Sequence, residues 1–309
     1  MEINELIDSL KFLKDEENLF CDIYVVINKE FKKLKVEENT AKNIALSFSK
    51  SILNSFIDNI KLKSIDDYND EEAKAIYYFE EDNLFENLKN LIYLPEEIEE
   101  IENFDFNKID FLIIKIAINE TNSCYVYKKL APIHLLKSNF LTSLLSIDNG
   151  TLKEYNKNIL KLDNNFHFLS IDDKVFVMNF NILEKHLKYD EVIMQKAQKT
   201  IEILETIEFL DDLEKIKELS VNKAFAKKIH NIHKSPVIDI MKNNPSKVEI
   251  FINNHNELRE FFDIISGNLK LKKQTKKNVD KLIKLLNDDL IKSELTEIMY
   301  ETLNKEKLK

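Results

Sequence analysis

Glycine is nearly absent: Gly150 and Gly267 serve all 309 residues. A phosphate cradle built from several bare backbone positions in succession cannot form on such a chain, which excludes Rossmann and P-loop sites. Arginine is scarcer still, with Arg259 alone. The bidentate arginine fork on guanine is the commonest specific base contact, so sequence-specific DNA reading is disfavoured. Cysteine is limited to Cys21 and Cys124, in apolar strand-like runs without CxxC or metal-ligand spacing, as expected for reduced core thiols in a cytoplasmic protein. Long apolar runs are missing too: Phe111–Ile118 is interrupted by Lys115 and falls far short of the roughly 20 residues of a membrane span. Met1–Lys14 carries Glu2, Glu5 and Asp8 in place of a basic leader, so no signal peptide is expected. No nucleophile elbow or zinc-deaminase signature exists, and the expectation is a non-enzyme without a cofactor.

What is present can build a sizeable core, since 44% of residues are hydrophobic. The periodicities predict an α+β fold, with antiparallel hairpins and a meander in the N-terminal and central parts and a mostly helical C-terminal third. Leu19–Asn28 reads as a strand returning through Asn28-Lys29-Glu30 to Phe31–Val36. Asn39 or Thr40 is positioned to cap a helix reaching about Ile60. Ile109–Glu120 and Ser123–Lys128 read as a second hairpin. Asn158–Asp163, Phe166–Ile171 and Lys174–Asn179 read as a three-stranded meander with turns at Asn164-Asn165 and Asp172-Asp173. From Asn181 the pattern is helical, with Pro236 and Pro245 at helix starts, short helices to about Ser266 and a last helix over about Lys276–Leu295. The expected domains are residues 1–105 and 106–309, the latter β-rich over 106–180 and helical over 181–309.

Charge is distributed unevenly. Between Asp66 and Asp105 lie fifteen acidic residues against Lys74 and Lys89, whereas the whole chain carries −10, so the remainder is slightly positive. Pro95–Asp105 reads as a solvated helix or linker, or alternatively as an acidic arm that shields a nucleic-acid site. The run Leu269–Lys284 holds seven lysines and one aspartate. Lys270, Lys272, Lys273, Lys276 and Lys277 precede or begin the last amphipathic helix, whose apolar face can dock while ammonium groups meet phosphates. Lys223, Lys227, Lys228 and Lys234 form a second basic cluster with His230 and His233, which lack the further ligands of a metal site. These nine lysines are the candidate nucleic-acid contacts, and solvated lysine-rich surface is the alternative reading of both clusters. His134 and His167, single among apolar neighbours, read as structural. Asp163, Asp172 and Lys174 admit a metal-dependent nuclease, although Asp172-Asp173 sits where a β-turn is expected. A non-catalytic protein-interaction module is the third possibility.

Tyr125–Leu136 (YVYKKLAPIHLL), Ile159–Tyr189 (ILKLDNNFHFLSIDDKVFVMNFNILEKHLKY) and Lys281–Leu295 (KLIKLLNDDLIKSEL) together make the sequence resemble the KwaB family, the soluble component of the Kiwa anti-phage system. The resemblance covers mainly residues 110 to 300. It implies a cytosolic homodimer that pairs with the membrane protein KwaA at the inner face of the membrane and binds phage DNA to restrain its replication and transcription. It carries no specific DNA-binding residue onto this chain.

Overall fold

The computed structural model describes residues 2–56, 60–68, 75–102, 105, 108–131, 135–136, 145–148, 151–154, 159–211, 213–292 and 299–301. The chain divides into two compact units, Met1–Ile65 with Lys74–Leu187, and Asp66–Ala73 with Lys188–Lys309. The position 105/106, where the sequence suggests a boundary, falls inside the first unit.

In the first unit α1 (Ile3–Ser9) and a 3-10 turn at Leu10–Lys14 precede β1 (Phe20–Ile27), β2 (Glu30–Leu34), α2 (Glu38–Ser55) and β3 (Lys61–Ser64). There follow β4 (Ala75–Glu80), α3 (Glu86–Ile92), β5 (Glu100–Ile101), β6 (Ile109–Ala117) and β7 (Ser123–Lys129). Short strands β8 (Leu135–Leu136), β9 (Leu145–Asp148), β10 (Thr151–Glu154) and β11 (Ile159–Leu160) lead to β12 (Phe168–Ile171), β13 (Lys174–Val177) and α4 (Phe180–His186).

A 9-stranded sheet in the order β3-β4-β13-β12-β7-β6-β1-β2-β5 organises this unit. Its interior pairings are antiparallel, and the parallel pairs β3–β4 and β2–β5 close the two edges. Strand β1 pairs with β6 from Phe20↔Ala117 to Ile27↔Ile109, which ties the two hairpins expected from the sequence into one sheet. Alternation then decides the faces. Cys21, Ile23, Val25, Leu112, Ile114, Ile116, Cys124, Val126 and Leu169 turn one way, into a core closed by Leu6, Leu10, Phe48 and Ile52. Each side chain sealed there contributes about 1.5–3 kcal/mol relative to exposure. The opposite face buries Ile113, Tyr127, Phe168 and Val175. Ring contacts Phe79–Phe85 at 5.8 Å and Tyr77–Phe180 at 5.5 Å bring the N-terminal ends of α3 and α4 against it.

Two hairpins of this sheet turn on non-glycine residues with positive φ at both central positions, Asn28 and Lys29 in one, Asp172 and Asp173 in the other. Such two-residue turns match the right-handed strand twist and normally favour Asn-Gly. The glycine-poor chain uses polar residues there, and reserves Gly267 for the equivalent place after Ser266 in the second unit.

Several expectations are corrected. Helix α2 begins at Glu38 after Glu37 and stops at Ser55, well before Ile60, because Lys61–Ser64 is drawn into the sheet as β3. Asn39 and Thr40 therefore lie in its first turn and do not cap it. The three-stranded meander does not form: β11 pairs with β8, and β12 and β13 instead insert between β7 and β4. Glu100–Ile101 is an edge strand on β2, not part of a solvated helix, since β2 would otherwise end the sheet with unpaired backbone groups. His134 lies outside the described residues.

A buried lysine fixes the entry to β12. Lys128, 2% exposed on β7, places Nζ 2.6 Å from Asp163 Oδ1 and donates to the Asn165 carbonyl at 2.7 Å. The same Asp163 oxygen accepts from the Asn165 N–H, so one carboxylate holds both the turn and the ammonium. Beside it His167 Nδ1 accepts the Lys129 N–H at 2.8 Å, and its backbone joins Tyr127 and Met178. The structural reading of His167 thus has its partners.

The second unit holds α5 (Tyr189–Glu205), α6 (Glu214–Ser220), α7 (Lys223–Ile229), α8 (Pro236–Asn243), α9 (Pro245–Asn253) and α10 (Asn256–Arg259). A hairpin of β14 (Phe262–Ile265) and β15 (Asn268–Leu271), helix α11 (Lys276–Leu286), and strands β16 (Leu290–Lys292) and β17 (Met299–Glu301) complete it. Pro236 and Pro245 stand in the first turns of their helices as expected. The last helix is shorter than its apolar stripe suggests: Asp288 has positive φ, and Leu290 and Ile291 pass into β16. The hairpin at 262–271 replaces the helical character expected there, because Ser266-Gly267 supplies a tight turn.

His230 is enclosed in this unit, 2% exposed, with Nδ1 2.7 Å from the Lys227 carbonyl and Nε2 buried without a partner among the described residues. Burial, aided by Lys196, Lys234 and His233 and opposed by the Lys227 carbonyl, lowers its pKa from 6.5 to about 4.

Two outcomes follow from these buried groups. Asp163→Ala should cost about 3 kcal/mol in urea unfolding, because it strands a buried ammonium, whereas Lys128→Met should cost less because the carboxylate it releases reaches water. A neutral His230 is stabilising above the unfolded pKa, so thermal stability should fall progressively as pH drops from 6.5 toward 4. His230→Gln should flatten that part of a melting-temperature profile against pH.

Candidate nucleic-acid interface

Helix α11 presents the lysine run. Its Val279, Leu282, Ile283 and Leu286 are buried, and the Thr275 side chain accepts the Asn278 N–H at its start. Lys277 and Lys284 therefore stand on the opposite side of an amphipathic helix, and Lys276 is exposed at its first position. Helix α7 is capped in the same manner by Asn222, whose side chain accepts from the Ala224 and Phe225 N–H groups.

The two basic clusters meet. Lys228 Nζ on α7 lies 2.8 Å from Asp280 Oδ1 on α11, and Asn287 Nδ2 at the end of α11 donates to the Lys228 carbonyl at 3.3 Å. Lys284 reaches the other oxygen of Asp280 at 3.7 Å, so one carboxylate stands between lysines of both helices.

At least five of the nine lysines are matched by acids, four of them distant in sequence. Lys270 pairs with Asp211 at 2.7 Å and Lys272 with Asp263 at 3.3 Å. Lys223 pairs with Asp190, and Lys234 reaches the Asp66 carbonyl at 2.9 Å and its carboxylate at 3.9 Å, where Lys196 joins it at 3.3 Å. Lys227 lies 6.0 Å from the centre of the Tyr68 ring. Lys277 and Lys281 approach the Phe261 ring at 5.5 and 5.6 Å. Burial, followed by Lys284, lowers the pKa of Lys281. Lys273 and Lys276 are exposed and have no carboxylate within ion-pair distance among the described residues. The outward cations are thus concentrated at Lys273, Lys276 and Lys277, immediately before and within the first turn of α11. The compensating acids escaped the sequence reading because Asp190, Asp211 and Asp263 belong to other elements; only Asp280 lies within the run.

His230 and His233 do not converge on a metal. His233 Nδ1 is 3.0 Å from Thr200 Oγ1, and among the described residues no cluster of His, Cys, Asp and Glu forms a metal site. Of the three residues of the nuclease reading, Asp172 and Lys174 adjoin one turn, and Asp163 stands apart from them. Asp163 is held at the Lys128 end of β7, whereas Asp172 follows Ile171, beyond the Ser170↔Tyr125 pairing. Five residues of strand separate those levels, about 17 Å at the usual rise. Lys174 begins β13 opposite Glu80.

The lysines of the family-like stretch Tyr125–Leu136 are structural: Lys128 is the buried ammonium, and Lys129 pairs with Asp110 at 2.8 Å. No described helix is long and apolar enough to cross a membrane.

Comparison with known proteins agrees with the resemblance seen in the sequence. Kiwa protein KwaB of Escherichia coli O55:H7 (strain RM12579 / EPEC) is 27% identical over 295 residues, covering 93% of this chain and 92% of that protein. No solved structure matches. A family model described as Kiwa protein KwaB-like matches residues 106–296, which take in the elements from β6 to β16, and this chain belongs to that family.

Proposed function

We propose that this protein serves Kiwa anti-phage defence as a non-catalytic effector that binds phage DNA through lysine–phosphate contacts, with little preference for sequence. Membership of the KwaB-like family supports the defence role. The exposed group Lys273, Lys276 and Lys277 at the start of α11 carries the DNA reading, since ammonium groups and the free N–H groups of a helix end suit phosphate together. The scarcity of arginine fits binding to backbone over bases.

The paired lysines are held loosely enough to contribute. Lys270 and Asp211 are each more than a third exposed, and such pairs are worth roughly 0–1 kcal/mol, so a dense polyanion can displace the carboxylate. In this reading the chain acts as a homodimer at the inner face of the membrane through a KwaA-like membrane protein, and restrains phage replication and transcription. The same pairing of lysines with acids favours one alternative, a protein-interaction module whose charged faces engage a partner or a second copy.

Electrophoretic mobility measurements on duplex DNA of unrelated sequences should give similar affinities that fall steeply with salt. Three phosphate contacts correspond to a slope of about −3 in log K against log salt. Combined Lys273→Glu, Lys276→Glu and Lys277→Glu changes should weaken binding at least tenfold and flatten that slope. Salt-independent binding, or an unchanged affinity in the triple variant, would remove the phosphate-grip reading, and co-purification of a membrane protein without nucleic acid would favour the interaction module.

A further inference from the structure

The first unit contains a cavity whose chemistry is opposite to that of the lysine helix. It occupies about 460 Å³ on the sheet face at the β7–β12–β13 ends, within the usual range for small-ligand sites. Tyr93, Tyr125 and Tyr127 supply aromatic wall, and Glu81, Asp172 and Asp173 supply carboxylates; no lysine, arginine or histidine lines it. Tyr93 Oη donates to Glu81 Oε1 at 2.9 Å, which fixes a half-exposed ring beside a carboxylate. Asp172 and Asp173 stand at the tip of the β12–β13 turn, and none of the three carboxylates has an ion-pair partner among the described residues.

This contrasts with the second unit, where carboxylates are spent on neighbouring lysines. Phosphates and nucleotides are repelled by such a lining, while a flexible organic cation finds anions for its ammonium groups and ring faces for its methylenes and charge. One wall already shows this preference: Lys115 places its ammonium 5.8 Å from the centre of the Tyr125 ring. We propose that the cavity between Tyr93, Tyr125 and the Asp172-Asp173 turn binds an aliphatic polyamine, whose several ammonium groups answer the several carboxylates. The site lies wholly in the first unit and is independent of the DNA reading, which rests on the second.

Isothermal titration of the full-length protein with spermidine tests it. Saturable binding is expected, at least tenfold weaker in the Glu81→Gln/Asp173→Asn double variant and in Tyr125→Leu, with 1,8-octanediol silent. Asn suits the left-handed turn position, so the double variant should retain its fold by circular dichroism. Glu257→Gln/Glu260→Gln, which removes the same charge from the exposed surface of the other unit, should leave the affinity within twofold. Absence of saturable binding, or equal weakening by both double variants, would overturn the proposal, the latter by reducing the interaction to attraction toward an anionic protein.

Discussion

The ion pair between Lys128 and Asp163 is the constraint on which the first unit depends. An ammonium sealed on β7 has to be compensated, and among the described residues that compensation comes from the turn at 163–165, including the Asn165 carbonyl. That requirement holds the chain at the level where β12 can pair with β7. Once β12 is in register, β13 follows through a two-residue turn and offers its far edge to β4. Half of the sheet is thus added in a fixed register from one polar anchor. Hydrophobic burial stabilises the assembly without choosing among nearby registers as sharply, whereas misplacing a buried charge is penalised severely.

The elements with strong local signatures were legible in the sequence, and the pairings that need distant partners were not. The β1–β2 and β6–β7 hairpins announce themselves by β-branched runs and polar turns, and Pro236 and Pro245 announce their helices. Nothing local to Ile109–Ala117 says that it lies against Phe20–Ile27, because both strands are apolar enough to accept several neighbours. The end of α11 was obscured for a related reason: Leu290 and Ile291 continue the helical spacing, and only the left-handed backbone at Asp288 diverts them. The lysine sites were readable as positions on helices. Their electrostatic environment was not, since it is set by Asp190, Asp211 and Asp263 arriving from elsewhere in the second unit.

Conspicuous sequence patterns also proved to serve different ends. The double lysine at 128–129 looks like surface charge but stabilises the sheet, one member buried and the other tied to Asp110. The acidic stretch that dominates the net charge has no single role. Asp66 gathers Lys196 and Lys234, Glu99 holds Lys32 beside an edge strand, and Glu81 orients a tyrosine. Such division of labour explains how a chain of net charge −10 can still carry a cationic helix end.

The assignment of Asp66–Ala73 to the second unit has a consequence for synthesis. Asp66 and Tyr68, which meet Lys196, Lys234 and Asn231, leave the ribosome well over a hundred residues before those partners. At ordinary translation speeds of about 5–20 residues per second that is an interval of several seconds or longer, during which the early segment must wait while strands on either side of it can already pair. Completion of the helical unit is therefore tied to its C-terminal half being made, and a nascent chain stalled in the first unit would display an acidic, tyrosine-bearing segment whose intended companions do not yet exist.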